Sequence, residues 1–249
     1  MKFAYQSDTG RFRSINQDRC CVLNNAYGQL LGVICDGMGG HLAGEKAAEM
    51  AMDILCQSFM NHDVFYSDTT ASQWLIETVE QANREIYEDA TTHSEHAGMG
   101  TTLVAVLCLK HTFMICHVGD SRAYWFENKR LHQLTNDHTY VNLLVESGSI
   151  NKEQAKSHPK KNVLMKAVGV FADLVVPHQL YHELGGMLCL CSDGLYNFVS
   201  DEQMIAILSE NISLDEKVAH LIALANLNGG KDNISVVLID GIGGESDES

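Results

Sequence analysis

Four aspartates in this chain stand where an apolar run meets a turn. Asp36 ends the run Leu30-Leu31-Gly32-Val33-Ile34-Cys35 and is followed by Gly37-Met38-Gly39-Gly40. Asp193 follows the run 187–191 across Ser192 and precedes Gly194, while Asp232-Asn233 leads into the run 234–239. Asp120 follows the run 112–118 across Gly119. Short apolar runs bounded by turn residues read as buried strands. A carboxylate at the end of a buried strand needs a partner, because an unpaired buried charge is expensive. A metal cation, a helix N-terminus or an arginine would each supply one. Asp-Gly by itself is first of all a turn signal. Four such edges in one chain point further: if the strands are neighbours in a sheet sandwich, the carboxylates meet at one end and their repulsion calls for cations. Hard oxygen ligands suit Mg²⁺ or Mn²⁺ better than Zn²⁺. The twelve histidines form no HxH or HExxH arrangement, so zinc is not expected, and His93 and His96 read as exposed loop residues.

The elements around these edges follow from periodicity. Residues 3–10 read as an edge strand ending in a turn, 20–23 as a short strand, and Asn24-Asn25 with Gly28 as the hairpin link into the run 30–35. Ala47, Ala48, Ala51, Leu55 and Phe59 recur at helical spacing, as do Leu75, Val79, Ala82 and Ile86 in a second helix over 72–90; both are expected to cover one face of a sheet. Residues 91–100 read as a polar loop. Strands follow at 102–109 and 112–118, then at 122–126 and 130–134, with links short enough for antiparallel pairing. Residues 136–176 carry two short helical pieces and the lysines of 156–161, as a flap beside a site would. Ser200 with Gln203, and Ser213 with Glu216, open two more helices as capping boxes. The glycine-, acid- and serine-rich stretch 241–249 is expected to be a disordered acidic tail.

Composition bounds the partners. With 249 residues, 45% hydrophobic and 20% charged, the chain can bury a sizeable core. A net charge of −15 with no offsetting basic run argues against nucleic acid. Eight cysteines without a CxxC pair, most inside apolar runs, read as reduced core residues, with Cys20-Cys21 as filler rather than a redox pair. Neither a signal peptide nor a long apolar span is evident, so the expectation is a cytoplasmic protein that does not engage a membrane.

The motifs Gly10-Arg11-Phe12-Arg13, Asn16-Gln17-Asp18, Asp36-Gly37-Met38-Gly39-Gly40 with Ala43-Gly44-Glu45, Gly98-Met99-Gly100-Thr101-Thr102, Val118-Gly119-Asp120-Ser121-Arg122, Leu134-Thr135-Asn136-Asp137-His138, Cys191-Ser192-Asp193-Gly194-Leu195 and Gly229-Gly230-Lys231-Asp232-Asn233-Ile234 occur in this order over residues 3–240. Together they make the chain resemble the metal-dependent protein serine/threonine phosphatases of the PP2C type, in their compact bacterial form. The resemblance implies an α+β fold, a four-layer α/β/β/α sandwich of two antiparallel sheets flanked by helices, over residues 1–240. It also implies two Mn²⁺ or Mg²⁺ ions per active site, with a third, weaker one. Asp36 would bridge the pair and the Gly37 carbonyl would bind one of them. Asp193 and Asp232 would complete the protein ligands of the other, and Asp120 with Asp193 would form the weaker site. Arg13 matches the arginine that holds the substrate phosphate, and Asp18 the acid that orients metal-bound water.

Two positions depart from the animal pattern. Gln17 stands where many members have glutamate, so second-metal affinity is expected to fall. Met38 stands where animal members carry a histidine proposed as general acid. Bacterial members commonly have methionine there, which leaves a metal-bound water as the expected proton donor, with His41 as a weaker candidate.

The implied activity is hydrolysis of phosphoserine and phosphothreonine in proteins by direct attack of a metal-bridging water or hydroxide, without a phosphoenzyme. Phosphorylated proteins would be the substrates and a serine/threonine kinase the opposing enzyme, with the phosphatase a monomer. A non-catalytic, phosphoprotein-binding or kinase-scaffolding member of the same fold is the alternative, although such a chain should have lost metal carboxylates. Nucleotide binding at Gly37–Gly40 would need a GxGxxG turn, and the spacing is wrong.

Overall fold

The computed structural model describes residues 1–40, 42–182 and 185–242, so His41 and residues 183–184 and 243–249 lie outside the described residues. The apolar run at 30–35 belongs to strand β3 (Leu30–Met38), whose two faces enter different cores. Leu31, Val33 and Cys35 pack under helices, whereas Leu30 and Ile34 face a second sheet. Strand β11 (Ile234–Asp240) divides in the same way: Ile234, Val236 and Leu238 lie against helices, and Val237 and Ile239 against the opposite sheet. Strands covered on both faces have no solvent face, which is why these runs are almost continuously apolar.

The strands form two antiparallel sheets. One has the order β1-β11-β10-β7-β8, with β1 at Lys2–Asp8, β7 at Arg122–Glu127, β8 at Arg130–Gln133 and β10 at Met187–Cys191. The other has the order β2-β3-β5-β6-β9, with β2 at Asp18–Asn24, β5 at Leu103–Cys108, β6 at Phe113–Val118 and β9 at His178–Tyr181. The two-residue strand β4 (Gly100–Thr101) pairs with the end of β3, setting Gly37 opposite Thr101 and Met38 opposite Gly100. Phe113, Trp125, Leu188 and Leu190 help to fill the space between the sheets.

Helices α1 (Ala43–Met60) and α2 (Asp68–Thr92) cover the second sheet through Ala47, Ala51, Leu55, Leu75, Val79 and Ala82, in the stripes their spacing predicts. Of the remaining helices, α3 (Tyr140–Glu146), α4 (Lys152–Lys156) and the single turn α5 (Asp193–Tyr196) precede α6 (Asp201–Leu208) and α7 (Leu214–Leu227), which cover the first sheet. Both expected capping boxes are present at Ser200/Gln203 and Ser213/Glu216. The β7–β8 link is a tight turn in which Asn128 (φ 49°) and Lys129 (φ 57°) both take left-handed backbone, the hairpin type whose twist matches its strands. The result is the expected α/β/β/α sandwich.

Three features that the sequence reading did not give have physical causes. The chain changes sheet between β6 and β7, because Gly119-Asp120-Ser121 turns a corner rather than closing a hairpin. Gly119 (φ +102°) lies so close to Thr102 that an added Cβ would meet that side chain at 2.7 Å. Strand β9 has little apolar content, its exposed His178 and Gln179 giving no strand signal. The tail expectation needs correction at its start: Ile242 is fully buried in the inter-sheet core, and its carbonyl accepts a hydrogen bond from Gly185. The expected flap departs from the sheet edge with α3 and α4, and its later part is pinned. Val168 pairs with Thr101, and Asn83 of α2 accepts from the Gly169 amide while donating to the carbonyls of Phe171 and Ala172.

Candidate active site

The strand ends meet at one edge of the sandwich. Antiparallel register sets Asp18, the first residue of β2, directly opposite Asp36 on β3. From the other sheet, β10 runs through Ser192 into Asp193 at the start of α5, and Asp232 lies just before β11. The Asp18 carboxylate ties the sheets together: its Oδ2 accepts from Ser192 Oγ and from Ser235 Oγ, each at 2.8 Å. Asp18 is only 2% exposed, so these hydroxyls replace water that the carboxylate has lost. Asn233 closes the same edge, accepting from the Gln17 amide at 2.8 Å and donating to the carbonyls of Thr9 and Ile15.

The backbone around Asp36 is held on several sides. Its amide donates to Thr102 Oγ1 at 3.0 Å, and its carbonyl accepts from the Thr102 amide and from Thr101 Oγ1. The amide of Gly37 donates to the Gln17 carbonyl at 3.1 Å. Gly37 is required here because α1 begins against it: a Cβ at this position would sit 2.1 Å from the Gly44 carbonyl oxygen.

Burial and repulsion dominate the electrostatics. Asp36 is pushed well above the usual carboxylate range, by loss of water first and then by Asp18, Asp193, Asp120 and Asp232. Asp193 is raised to about 8 by burial and by Asp120 and Asp232. Asp18 is raised to about 6 by burial, moderated by the hydrogen bonds from Ser192 and Ser235. Asp120 is raised to about 6, again by burial and then by Asp137. Arg13 reaches this group from the loop after β1, donating from Nη2 to Asp232 Oδ2 at 2.9 Å. That hydrogen bond raises its own pKa. One guanidinium does not offset five carboxylates. The set consists of hard oxygen donors at depressed acidity, which fits divalent cations of the Mg²⁺ or Mn²⁺ kind and no soft ion.

The seven residues singled out in the sequence thus occupy one neighbourhood, with Asp120 brought in by the corner between β6 and β7. Arg122 fixes that corner through a two-pronged ion pair with Asp137 (2.9 and 2.7 Å) and lies 3.5 Å from the centre of the Tyr196 ring. The Tyr196 hydroxyl donates to the Asp120 carbonyl at 2.9 Å. Thr101, Thr102, Ser192, Ser235 and Asn233 were not assigned roles from the sequence, although the first three and Asn233 lie inside the quoted motifs. Small hydroxyl residues beside a strand-end aspartate were the available signal. Ser235 had none, since it reaches Asp18 across 217 positions of chain. Gln17 packs its amide against Gly44, and Met38 closes β3 opposite Gly100.

Known proteins resemble the chain over nearly its whole length. The family model described as Protein phosphatase 2C matches residues 11–228. A serine/threonine phosphatase stp of Listeria monocytogenes is 39% identical over 245 residues, spanning 96% of each chain. The protein phosphatase PhpP of Streptococcus pneumoniae is 34% identical, covering 96% of this chain and 97% of its own length. Among solved structures, the S. agalactiae serine/threonine phosphatase superposes with a TM-score of 0.91 at 36% identity, over 95% of this chain and 98% of its own. The catalytic domain of the phosphatase PstP, in complex with two manganese ions, gives 0.83 at 33% identity over 97% and 98%. On the fold, the strand-end carboxylates and these near full-length matches, the chain belongs to the protein phosphatase 2C family of serine/threonine phosphatases.

Proposed function

We propose that the protein hydrolyses phosphoserine and phosphothreonine in proteins, at a site where Asp36, the Gly37 carbonyl, Asp193 and Asp232 hold two Mn²⁺ or Mg²⁺ ions. Asp120 together with Asp193 would hold a third ion more weakly. The convergence of these carboxylates from both sheets onto Arg13 carries this reading. The bound cations would supply an activated water at neutral pH and offset charge on the phosphoryl oxygens.

The chain's own residues do the rest. Arg13 is half exposed, so its guanidinium can leave Asp232 and present two parallel N–H groups to a phosphoryl dianion. Asp18, its Oδ2 held by Ser192 and Ser235 and its strand position opposite Asp36, would orient the attacking water. The hydroxyls of Ser192 and Ser235 beside Asp18 are fully buried and both donate to its carboxylate, which favours direct attack by water over a serine nucleophile. Met38 supplies no acid, so protonation of the departing serine or threonine oxygen falls to water in the site.

Phosphorylated proteins are the proposed substrates, with a serine/threonine kinase acting in opposition. The exposed flap with Lys156, Lys160 and Lys161 is a surface on which substrates could be told apart. We place the protein in the cytoplasm as a monomer. All eight cysteines are free thiols, five of them buried, as suits a reducing compartment. Among the described residues no helix is long and apolar enough to cross a membrane.

Release of phosphate from a phosphothreonine peptide with Mn²⁺ or Mg²⁺, abolished by chelation, is the direct test. Asp36→Asn and Asp193→Asn are expected to lower turnover by at least ~100-fold, the scale at which charged groups act on a developing phosphoryl charge. Undiminished turnover in either variant would overturn the metal assignment.

A further inference from the structure

We propose that Asp89, His93 and His96 form a second cation site, selective for borderline transition ions such as Zn²⁺ and independent of the strand-end carboxylates. The three residues span the last turn of α2 and the single 3₁₀ turn that follows it. From each, one ligand atom lies within 4.8 Å of the ligand atoms of the other two. The Asp89 carboxylate already gathers both rings, with Oδ1 2.6 Å from His93 Nδ1 and Oδ2 2.6 Å from His96 Nδ1. Four-coordinate zinc, with bonds of about 2.0–2.1 Å, places its ligands roughly 3.4 Å apart, between the 2.6 Å contacts and the 4.8 Å spread of these three ligand atoms.

Three further features favour a cation here. The last turn of α2 carries no basic side chain, leaving its partly negative end without a charged partner. The three side chains are between 17% and 51% exposed, so an ion can reach them without opening the fold. Two imidazoles with one carboxylate form a donor set that prefers Zn²⁺ to Mg²⁺, the reverse of the all-oxygen set at the strand ends. The backbone is also arranged for it, since Asp89, His93 and His96 are joined by a chain of hydrogen bonds from His93 N to Asp89 O and from His96 N to His93 O.

The site would govern the approach to β4. The Met99 amide donates to the His96 carbonyl, and the next residues are Gly100 and Thr101, which pair with Met38 and Gly37. An ion at His96 would tie this segment to α2 and stiffen it.

The test uses the full chain in excess Mg²⁺, which occupies oxygen-rich sites, with Zn²⁺ titrated against a chromophoric chelator. The native protein is expected to bind one equivalent of Zn²⁺ that the H93Q/H96Q variant binds roughly 100-fold more weakly. Replacing zinc by Co²⁺ should give the visible absorption of a four-coordinate site in the native protein and lose it in the variant. Glutamine keeps a hydrogen-bonding group at both positions, and retained Mg²⁺-dependent phosphatase activity would show that the variant folds. Equal zinc affinity in the native protein and this folded variant would overturn the proposal, as would absence of the one-equivalent site in the native chain.

Discussion

Arg13 Nη2 and Asp232 Oδ2 lie 2.9 Å apart, although 219 positions of sequence separate the two residues. The pair joins the proposed phosphate-binding group to a proposed metal ligand, and the arginine side chain is 51% exposed. An ion pair this open contributes little to folding, at most about 1 kcal/mol. Its value lies in keeping the guanidinium beside the site. Arg13→Ala is therefore expected to raise KM for a phosphothreonine peptide by about 10-fold or more, the range for a lost charge-assisted hydrogen bond. Thermal unfolding should barely move. Steady-state kinetics with an unchanged KM would remove Arg13 from the phosphate site.

The raised carboxylates make stability depend on pH in a definite direction. Asp18 and Asp120 titrate near 6 and Asp193 near 8 when folded, each above the ordinary aspartate value of 3.8. Between that value and about 8 these carboxylates hold more protons in the folded chain than in the unfolded one, so their contribution to metal-free stability falls as pH rises through this window. Above pH 6.5 this outweighs the partly buried His117 and His138, whose lowered pKa values act in the opposite sense only below it. The contribution is restored as pH drops and these groups are protonated. Urea unfolding in chelator should thus show greater stability near pH 5.5 than near pH 8. Saturating Mg²⁺ should flatten or reverse the slope, because cations take over from protons. A metal-free slope of the opposite sign would show that the carboxylates are not crowded as described.

Two glycines of the same turn should behave differently. At Gly37 an added methyl would meet the Gly44 carbonyl oxygen at 2.1 Å and the Gln17 carbonyl oxygen at 2.8 Å, both backbone atoms unable to step aside. Gly37→Ala is expected to cost about 1–3 kcal/mol and to abolish most turnover by displacing the end of β3. At Gly40 an added Cβ meets nothing within 4 Å, and Gly40→Ala should stay within roughly 0.5 kcal/mol of the native chain. Parallel denaturation and activity measurements would separate the two; equal effects would show that the α1–β3 contact does not shape the site.

Much of this protein was decided locally. Apolar periodicity marked β3, β10, β11, α1 and α2, because strands buried on both faces and helices with one buried stripe carry their own pattern. The capping boxes at Ser200 and Ser213 lie within four residues and formed as read. The ordered motifs carried Asp36, Asp193, Asp232, Asp120, Asp18 and Arg13, and with them the family. Pairing decided what remained. Nothing near Asp18 announces Ser235. The corner at Gly119, the two-residue strand β4 and the burial of Ile242 likewise depend on partners distant in sequence. A residue's type and spacing set what it can do locally. The groups that share its buried charge are chosen only when two sheets close on each other.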